Sequence, residues 1–559
     1  MLKYLYVKTV FAALCVFFVV ACGWIQHVSA QSHSRVSGSL GPAEQEPEYE
    51  IAQPVDMAGS KPNIVFFLID DLGYFDVGFT GGRFYETHNI DHLAGQGMVF
   101  ERAYASGPNC SPTRASFLSG MTTARHRLYS LGKASKIAPH AAPLWVPIES
   151  WFFNSRGRSA PGITMDDYDS QYAEDGLRTF EVSAGLPDQI VSVAEILNLA
   201  GYVTGRFGKW HVGKSTQGFD VSSTDGSDAV ETGAADTTKH YRNPNSAHSI
   251  SDGVIEFIRN NSKKPFFVYV AHWEVHDPKI ANPEIVRRFD RKLRNWEGET
   301  KDYDTTYAAM VHAADTSVGR ILKALDNAGV SENTVVVFSS DNGGTGPSQI
   351  LPLRSEKGSL YEGGIRVPTI VRWPAAIHPG TRSVATVSSV DWLPTFADLA
   401  GVDLANVNFP PTQILDGRSI LPELAGRHSG SGEAFFHFPL YFGGATRPGG
   451  PRPGFRGWPS SALISGQWKL IEFFERNEEE SGPETVSRFE FYNLDNDISE
   501  SRNLAEHVES LAPDVRGRFE SMRKRLSDWR AETDADVPTR KNKFFQGLPS
   551  NSNHAIGTR

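Results

Sequence analysis

Residues 63–71 decide the fold: Asn63 opens the apolar run Ile64-Val65-Phe66-Phe67-Leu68-Ile69, which stops abruptly at Asp70-Asp71. A run of this length without polar alternation fits a strand buried on both faces, which calls for a parallel sheet covered by helices. The pattern recurs. Pro265-Phe266-Phe267-Val268-Tyr269-Val270-Ala271 leads into His272 and His276, and Thr334-Val335-Val336-Val337-Phe338 leads into Asp341-Asn342. In such sheets ligands bind beyond the carboxyl ends of the strands, so the three polar clusters are expected at one edge.

Helices are expected between the strands. From Thr305 to Ala328, Tyr307, Met310, Val311, Ala314, Val318, Ile321, Leu322 and Leu325 follow a helical period, and Gly329 supplies the stop. A shorter helix is expected from about Gln189 to Ala200, before Gly201. The fold class is therefore α/β, a mixed, mostly parallel sheet sandwiched by helices, and no repeat of fixed period interrupts it.

At 559 residues, 40% apolar and 21% charged, the chain has ordinary globular composition and is too long for one simple core. Its net charge of −10 leaves no basic footprint for nucleic acid, so any anionic ligand must be held by a local cationic pocket. Lys3 and Lys8 precede the apolar run Val10 to Ala21, which has the length of a signal-peptide core and is short for a membrane span. Two processing sites compete: cleavage after Val28-Ser29-Ala30, or a lipobox-like Val19-Val20-Ala21-Cys22 that would leave a lipid anchor at Cys22. Either implies export, to the periplasm or to the outer membrane as an anchored lipoprotein. Residues 1–30 thus read as a signal peptide, 31–60 as a flexible tether and 61–428 as the main domain. The loose stretch Gly426-Arg427-His428-Ser429-Gly430-Ser431-Gly432 marks a boundary before a small α+β subdomain over 429–535, with a loose tail over 536–559. Within that subdomain Ser461 to Glu475 and Arg488 to Leu494 read as antiparallel strands, and Leu504 to about Ala531 as helix.

Asp70, Asp71, Asp341 and Asn342 form an all-oxygen set that suits Ca2+ or Mg2+ and poorly suits zinc. Each pair alone could be a cap or a turn. Lys209 and His211 alternate, so an extended strand would present both to one ligand. Cys110 lies outside the first 22 positions, where the other cysteines, Cys15 and Cys22, fall, and one cysteine cannot close an intrachain disulfide. It precedes Pro112, a residue favoured in the first turn of a helix, where anions bind well.

Cys110-Ser111-Pro112-Thr113-Arg114, continuing through Ala115-Ser116-Phe117-Leu118-Ser119-Gly120, resembles the C-x-P-x-R signature of formylglycine-dependent (type I) sulfatases of the alkaline phosphatase superfamily. Gly201-Tyr202-Val203-Thr204-Gly205-Arg206-Phe207-Gly208-Lys209-Trp210-His211-Val212-Gly213 resembles the second signature of that family. Trp468-Lys469-Leu470 and Tyr492-Asn493-Leu494-Asp495 resemble strands of its C-terminal subdomain. The resemblance runs in order from Lys61 to Leu504. Thr113 stands where serine is commoner.

The resemblance implies an alkaline-phosphatase-like fold, one divalent cation, Ca2+ before Mg2+, and a maturation enzyme that oxidises Cys110 to formylglycine. The hydrated aldehyde would complete the metal shell formed by Asp70, Asp71, Asp341 and Asn342 and attack sulfur, with help from Asp341, to give a sulfoenzyme intermediate. Arg114 would hold the diol, Lys209 would clamp diol and sulfate, and His211 would take the second hydroxyl proton as sulfate is expelled. His276 and Lys357 would contact sulfate and leaving oxygen and protonate the departing alcohol. His272 reads as structural and Arg354 falls outside the site. The implied substrates are aryl sulfates or sulfated carbohydrates, here sulfated polysaccharides or their oligosaccharides. Two rivals remain: a phosphonate monoester or phosphodiester hydrolase of the same superfamily, and a chemically silent lipoprotein that binds sulfated glycans. Arg125, His126, Arg127, Trp145, Trp151, Phe152 and Phe153, with His437, Tyr441 and the loop from Arg447 to Arg456, either wall a sugar pocket or fasten insertions to the body.

Overall fold

The computed structural model describes residues 57–129, 185–213, 215–223, 243–298, 303–427, 432–440, 442–443, 455–474 and 488–537. Its centre is an eight-stranded sheet of β1 (Asn63–Ile69), β2 (Met98–Tyr104), β3 (Val203–Gly208), β4 (Val221–Ser223), β5 (Phe266–Ala271), β6 (Thr334–Ser340), β7 (Thr369–Arg372) and β8 (Thr381–Ser388). The strand order is β4-β3-β5-β1-β6-β7-β2-β8. β1 pairs in parallel with β5 and β6, and β3 in parallel with β5 and β4. β7 runs antiparallel to both β6 and β2.

All seven residues of β1 are buried. Ile64, Phe66 and Leu68 face a core built with helices α2 (Cys110–Ser119), α3 (Val193–Leu199) and α7 (Trp392–Ala400). Val65, Phe67 and Ile69 face the opposite core, shared with α1 (His88–Gly95), α4 (Ser246–Asn261), α5 (Pro283–Arg294) and α6 (Thr305–Asn327). Both faces are dry, which is why the run shows no alternation. The Phe66 ring packs tilted against Phe117 of α2, with centroids 4.3 Å apart, and truncating it to alanine would cost about 3–5 kcal/mol.

The helix expected from Thr305 forms, with the Asp304 side chain accepting the Tyr307 N–H. The helix expected from Gln189 starts later, at Val193. Ser192 and Glu195 form a reciprocal capping box that fixes its first turn, and residues 189–191 stay in the turn before it.

Beyond residue 432 lies a four-stranded antiparallel sheet of β9 (Glu433–Phe438), β12 (Ser460–Ser465), β13 (Trp468–Phe473) and β14 (Arg488–Asn493), while β10 (Phe442–Gly443) and β11 (Phe455–Gly457) form a separate pair. The segment read as one strand from Ser461 is two strands, because Gly466 takes a positive φ of 60° and turns the chain. Helix α8 (Pro513–Glu532) covers one face with Phe519, Met522, Leu526 and Trp529. The other face, through Phe436, Ala462, Ile464 and Ile471, packs on Tyr104, Leu360, Tyr361 and Ile365 of the main body. The single helix expected from Leu504 is instead a 3-10 segment to Ser510, then α8 from Pro513, since proline can start a helix but not continue one.

The expected signal segment, both processing sites and all but the last four residues of the tether lie outside the described residues. Gly59, in those last four, is docked through its N–H to Asp398 O at 2.8 Å. Asp536, placed in the tail by the sequence, is buried, and its main-chain oxygen lies 2.9 Å from His437 Nε2. Among the described residues, no helix is long and apolar enough to cross a membrane.

Candidate active site

Parallel pairing brings four strand exits to one edge. β1 delivers Asp70 and Asp71, β6 delivers Asp341 and Asn342, β5 delivers His276, and β3 delivers Lys209 and His211. Asp71 leaves its strand with φ 62° and donates its N–H to Asp341 Oδ1 at 3.1 Å. Cys110 is the first residue of α2, with the Asn109 side chain accepting its N–H. Its Sγ lies 3.4 Å from Asp70 Oδ1 and 3.7 Å from Asp71 Oδ1.

Three cations close around these acids. Lys209 Nζ binds Asp70 Oδ2 at 2.6 Å, and Lys357 Nζ binds Asp71 Oδ1 at 2.5 Å. Arg114 donates Nε and Nη2 to Asp341 Oδ2 at 2.9 and 2.6 Å, and Nη1 to Lys209 O at 2.9 Å. Lys209 and His211 do not share a strand face, as alternation suggested. β3 ends at Gly208, whose φ is 95° and where an added Cβ would lie 1.9 Å from Ala271 O, and His211 itself has φ 59°. The chain leaves the sheet there, and the two side chains reach the site from a bend.

The donor set fits a hard divalent cation. Asn342 Nδ2 donates to Asp71 Oδ1 at 2.8 Å, while its Oδ1 is buried without a hydrogen-bond partner. An orphaned buried acceptor among acidic oxygens suits Ca2+ or Mg2+. One ligand atom each from Asp70, Asp71, Cys110 and His276 all fall within 4.8 Å of one another. His276, read from sequence as a proton donor, therefore also stands in the ligand cluster, with Nε2 3.7 Å from Asp71 Oδ2. Asp341 differs from its neighbours, since its oxygens are taken by Arg114 and the Asp71 N–H.

Burial acts on every titration here, and neighbouring charges reverse its direction at Asp70 and Lys357 but not at Asp341, Cys110 or His211. Burial alone would raise the Asp70 carboxyl, yet Lys209, then His276 and Arg114, hold it well below the usual range. Asp341 is pushed up to about 6 by burial, which outweighs Arg114. The Cys110 thiol is pushed far up by burial and then by Asp341, so it is no thiolate at neutral pH. Burial, then the Lys209 and Arg114 cations, keeps His211 well below the usual histidine range, hence neutral. Burial would lower the Lys357 ammonium, but Asp71 and then Cys110 carry it above the usual range. His276 places Nδ1 2.6 Å from Asp277 O, which fixes the proton on that nitrogen and leaves Nε2 facing the acids.

Other candidates separate from this cluster. His272 is buried with Nδ1 3.5 Å from Glu274 Oε2, outside the ligand-type group. Arg354 bonds Tyr492 OH and Glu500 O, both at 2.9 Å, and ties the main body to the small sheet. Arg125 pairs with Asp416, Arg127 with Asp534, and His126 Nε2 with Ser116 Oγ, so all three fasten the chain. His437 does the same, between Ser461 Oγ at 2.8 Å and Asp536 O. Trp145, Trp151, Phe152, Phe153, Tyr441 and residues 447–454 lie outside the described residues. Two residues went unread. Tyr269 OH, 3.3 Å from Arg114 Nη1, is hidden in an apolar run, whereas Asn109 carried a legible N-cap signal.

Residues 62–402 match the family model described as Sulfatase, and residues 355–530 match the one described as N-sulphoglucosamine sulphohydrolase, C-terminal. A "Sulfatase" of Formosa agariphila is 30% identical over 526 residues, covering 80% of this chain and 85% of its own. N-acetylgalactosamine-6-sulfatase of Canis lupus familiaris is 29% identical over 408 residues, 66% of this chain and 67% of its own. The crystal structure of Ps i-CgsB superposes with a TM-score of 0.60 at 25% identity, covering 86% of this chain and 94% of that one. That protein has also been solved in complex with k-i-k-neocarrahexaose.

Proposed function

The chain belongs to the sulfatase family and is a sulfuric ester hydrolase, and on that premise we propose that it is an exported enzyme that removes sulfate from sulfated carbohydrates through a formylglycine at residue 110. The observation that carries this reading is the Cys110 side chain, buried between Asp70, Asp71 and Lys357 as a thiol too weakly acidic to serve as a nucleophile itself. Conversion to a hydrated aldehyde would supply a hydroxyl nucleophile at that position, and a second hydroxyl whose deprotonation releases the sulfate.

Asp70, Asp71 and Asn342, with Asp341 alongside, would hold Ca2+, or Mg2+, which would neutralise charge on the sulfate oxygens. Lys209 and Lys357 stand on either side of the acids and suit the clamping of an anion. His211, held neutral, suits a proton acceptor. Lys357 keeps its proton and suits the leaving oxygen, whereas His276, which burial holds below the usual histidine range with its proton on Nδ1, turns a bare Nε2 inward and suits an acceptor or ligand instead of the proton donor read from the sequence. The carbohydrate assignment is supported by relatives that carry N-acetylgalactosamine-6-sulfatase activity in their names and by the neocarrahexaose complex of Ps i-CgsB.

The test is free sulfate released from a panel of defined sulfated saccharides by protein whose residue 110 has been checked by mass. An aryl phosphodiester serves as the competing substrate. Faster turnover of the phosphodiester favours that rival, and saccharide binding without sulfate release favours a silent binder.

A further inference from the structure

We propose that Asp76 is a positioning residue for the cation site, whose carboxylate staples the loop leaving β1 to the loop leaving β6. The inference rests on the reading that Asp70, Asp71, Asp341 and Asn342, which those two loops carry, hold a divalent cation.

Asp76 is fully buried. Its Oδ2 accepts the Gly73 N–H of the β1 loop at 2.7 Å, the Ser348 hydroxyl of the β6 loop at 2.6 Å and the Tyr307 hydroxyl of α6 at 2.5 Å. Its Oδ1 accepts the Gln349 N–H of the β6 loop at 2.6 Å. Phe75 N–H returns a bond to Gln349 O at 3.3 Å. The loops touch with no slack, since a Cβ added at Gly73 or at Gly344 would lie 2.0 Å from Ser348 Oγ in either case. Burial pushes the Asp76 carboxyl up to about 6 against these four donors, so a cost is accepted to keep an acid there.

An ionised aspartate is needed because it only accepts. Each oxygen takes one backbone N–H, Gly73 on one side and Gln349 on the other, and neither N–H can reverse its role. In Asp76→Asn the amide must turn its NH2 towards one of them, whichever way it flips. One of the two is then lost, either the Gln349 tie between the loops or the Gly73 bond that shapes the β1 loop itself, although size is unchanged. The four oxygen residues would keep their identities and lose their spacing. Supporting residues of this kind typically change metal affinity about 10–100-fold.

The experiment is calorimetric titration of the whole protein with Ca2+, and separately with Mg2+, for wild type, Asp76→Asn, Ser348→Ala and Tyr307→Phe, with thermal melting in chelator alongside. Asp76→Asn is expected to weaken the Kd about 10–100-fold. Ser348→Ala, which removes one donor of the β6 loop, should weaken it less, and Tyr307→Phe least, because the phenol belongs to neither loop. An unchanged Kd in Asp76→Asn overturns the proposal whatever happens to its melting temperature, which a merely structural role would also lower. If Asp76→Asn does not fold, an unchanged Kd in Ser348→Ala overturns it instead. Wild-type protein that takes up neither cation overturns the reading of the cation site, and this inference with it. Wild type that binds while Asp76→Asn binds equally well overturns this inference alone.

Discussion

Lys357 Nζ stands 3.1 Å from the sulfur of Cys110. An ammonium that close to a thiol would ordinarily favour thiolate, yet burial and the nearby Asp341 carboxylate win and the thiol stays protonated. The lysine pairs instead with Asp71, and on the proposed reading it would be in place for an anion that arrives at residue 110.

The first prediction concerns that residue. Active protein made in a host with the maturation enzyme should show an aldehyde at position 110 in peptide mass spectra. Cys110→Ala should lower kcat about a thousandfold or more. Full activity from protein whose residue 110 is a plain thiol would end the formylglycine reading.

Metal content and turnover should fall together in the second. Removing Asp70 strips one acid from the cluster and strands the Lys209 ammonium 2.6 Å away, a change worth about 3–5 kcal/mol of stability as well. Asp70→Asn limits that penalty and is the cleaner variant. Stoichiometric metal in Asp70→Ala, Asp341→Ala protein would place the cation elsewhere.

Leaving-group dependence separates the proton carriers. Replacing Lys357 should slow sugar sulfates more than nitrophenyl sulfate, whose phenoxide departs unaided. His211→Ala should instead release about one equivalent of nitrophenol rapidly and then turn over slowly, with sulfate retained on residue 110 in intact-mass spectra. A linear time course with no retained sulfate, in folded and metal-loaded variant, would assign His211 to the step before S–O cleavage.

What the sequence could say followed from what burial does to composition. The β1 run was legible because all seven of its residues are enclosed, and the α6 helix because its buried stripe is long. The carboxylates at the strand ends were legible because a parallel sheet places its exits together. Lys209 and His211 were found but misplaced, since the kink at Gly208 depends on the carbonyl of Ala271 in a neighbouring strand. Asp76 left no mark at all. Its partners, Tyr307, Ser348 and Gln349, are remote in the chain, and only their convergence reveals a role. The same distance kept His437 ambiguous until Asp536 was seen beside it.

His437 supplies a prediction about pH. Burial depresses its folded value to about 3, from an ordinary 6.5. A depressed group contributes stability that is complete above 6.5 and is lost as pH falls towards 3. Between pH 7 and pH 5 the loss from this histidine alone is about 2 kcal/mol. Asp391, raised to about 6 by burial like Asp76 and Asp341, runs the opposite way, so the whole-protein profile mixes opposing contributions. The difference between wild type and His437→Gln isolates the histidine. Its stability deficit, read from urea midpoints, should shrink by about 2 kcal/mol from pH 7 to pH 5. A deficit that stays constant would mean that the imidazole is charged in the folded state.

Every residue of α2, from Cys110 to Ser119, is buried. On the formylglycine reading, an enzyme that alters Cys110 would have to reach it before this helix settles against the sheet, so modification and folding would be in a race. The winner would be set by timing during synthesis, and a chain that folded first would be sealed in its unmodified form. Specific activity in a preparation would then report how quickly each molecule closed, and slowing the closure of α2, for example with Phe117→Ala, could yield a less stable protein with more of its molecules active.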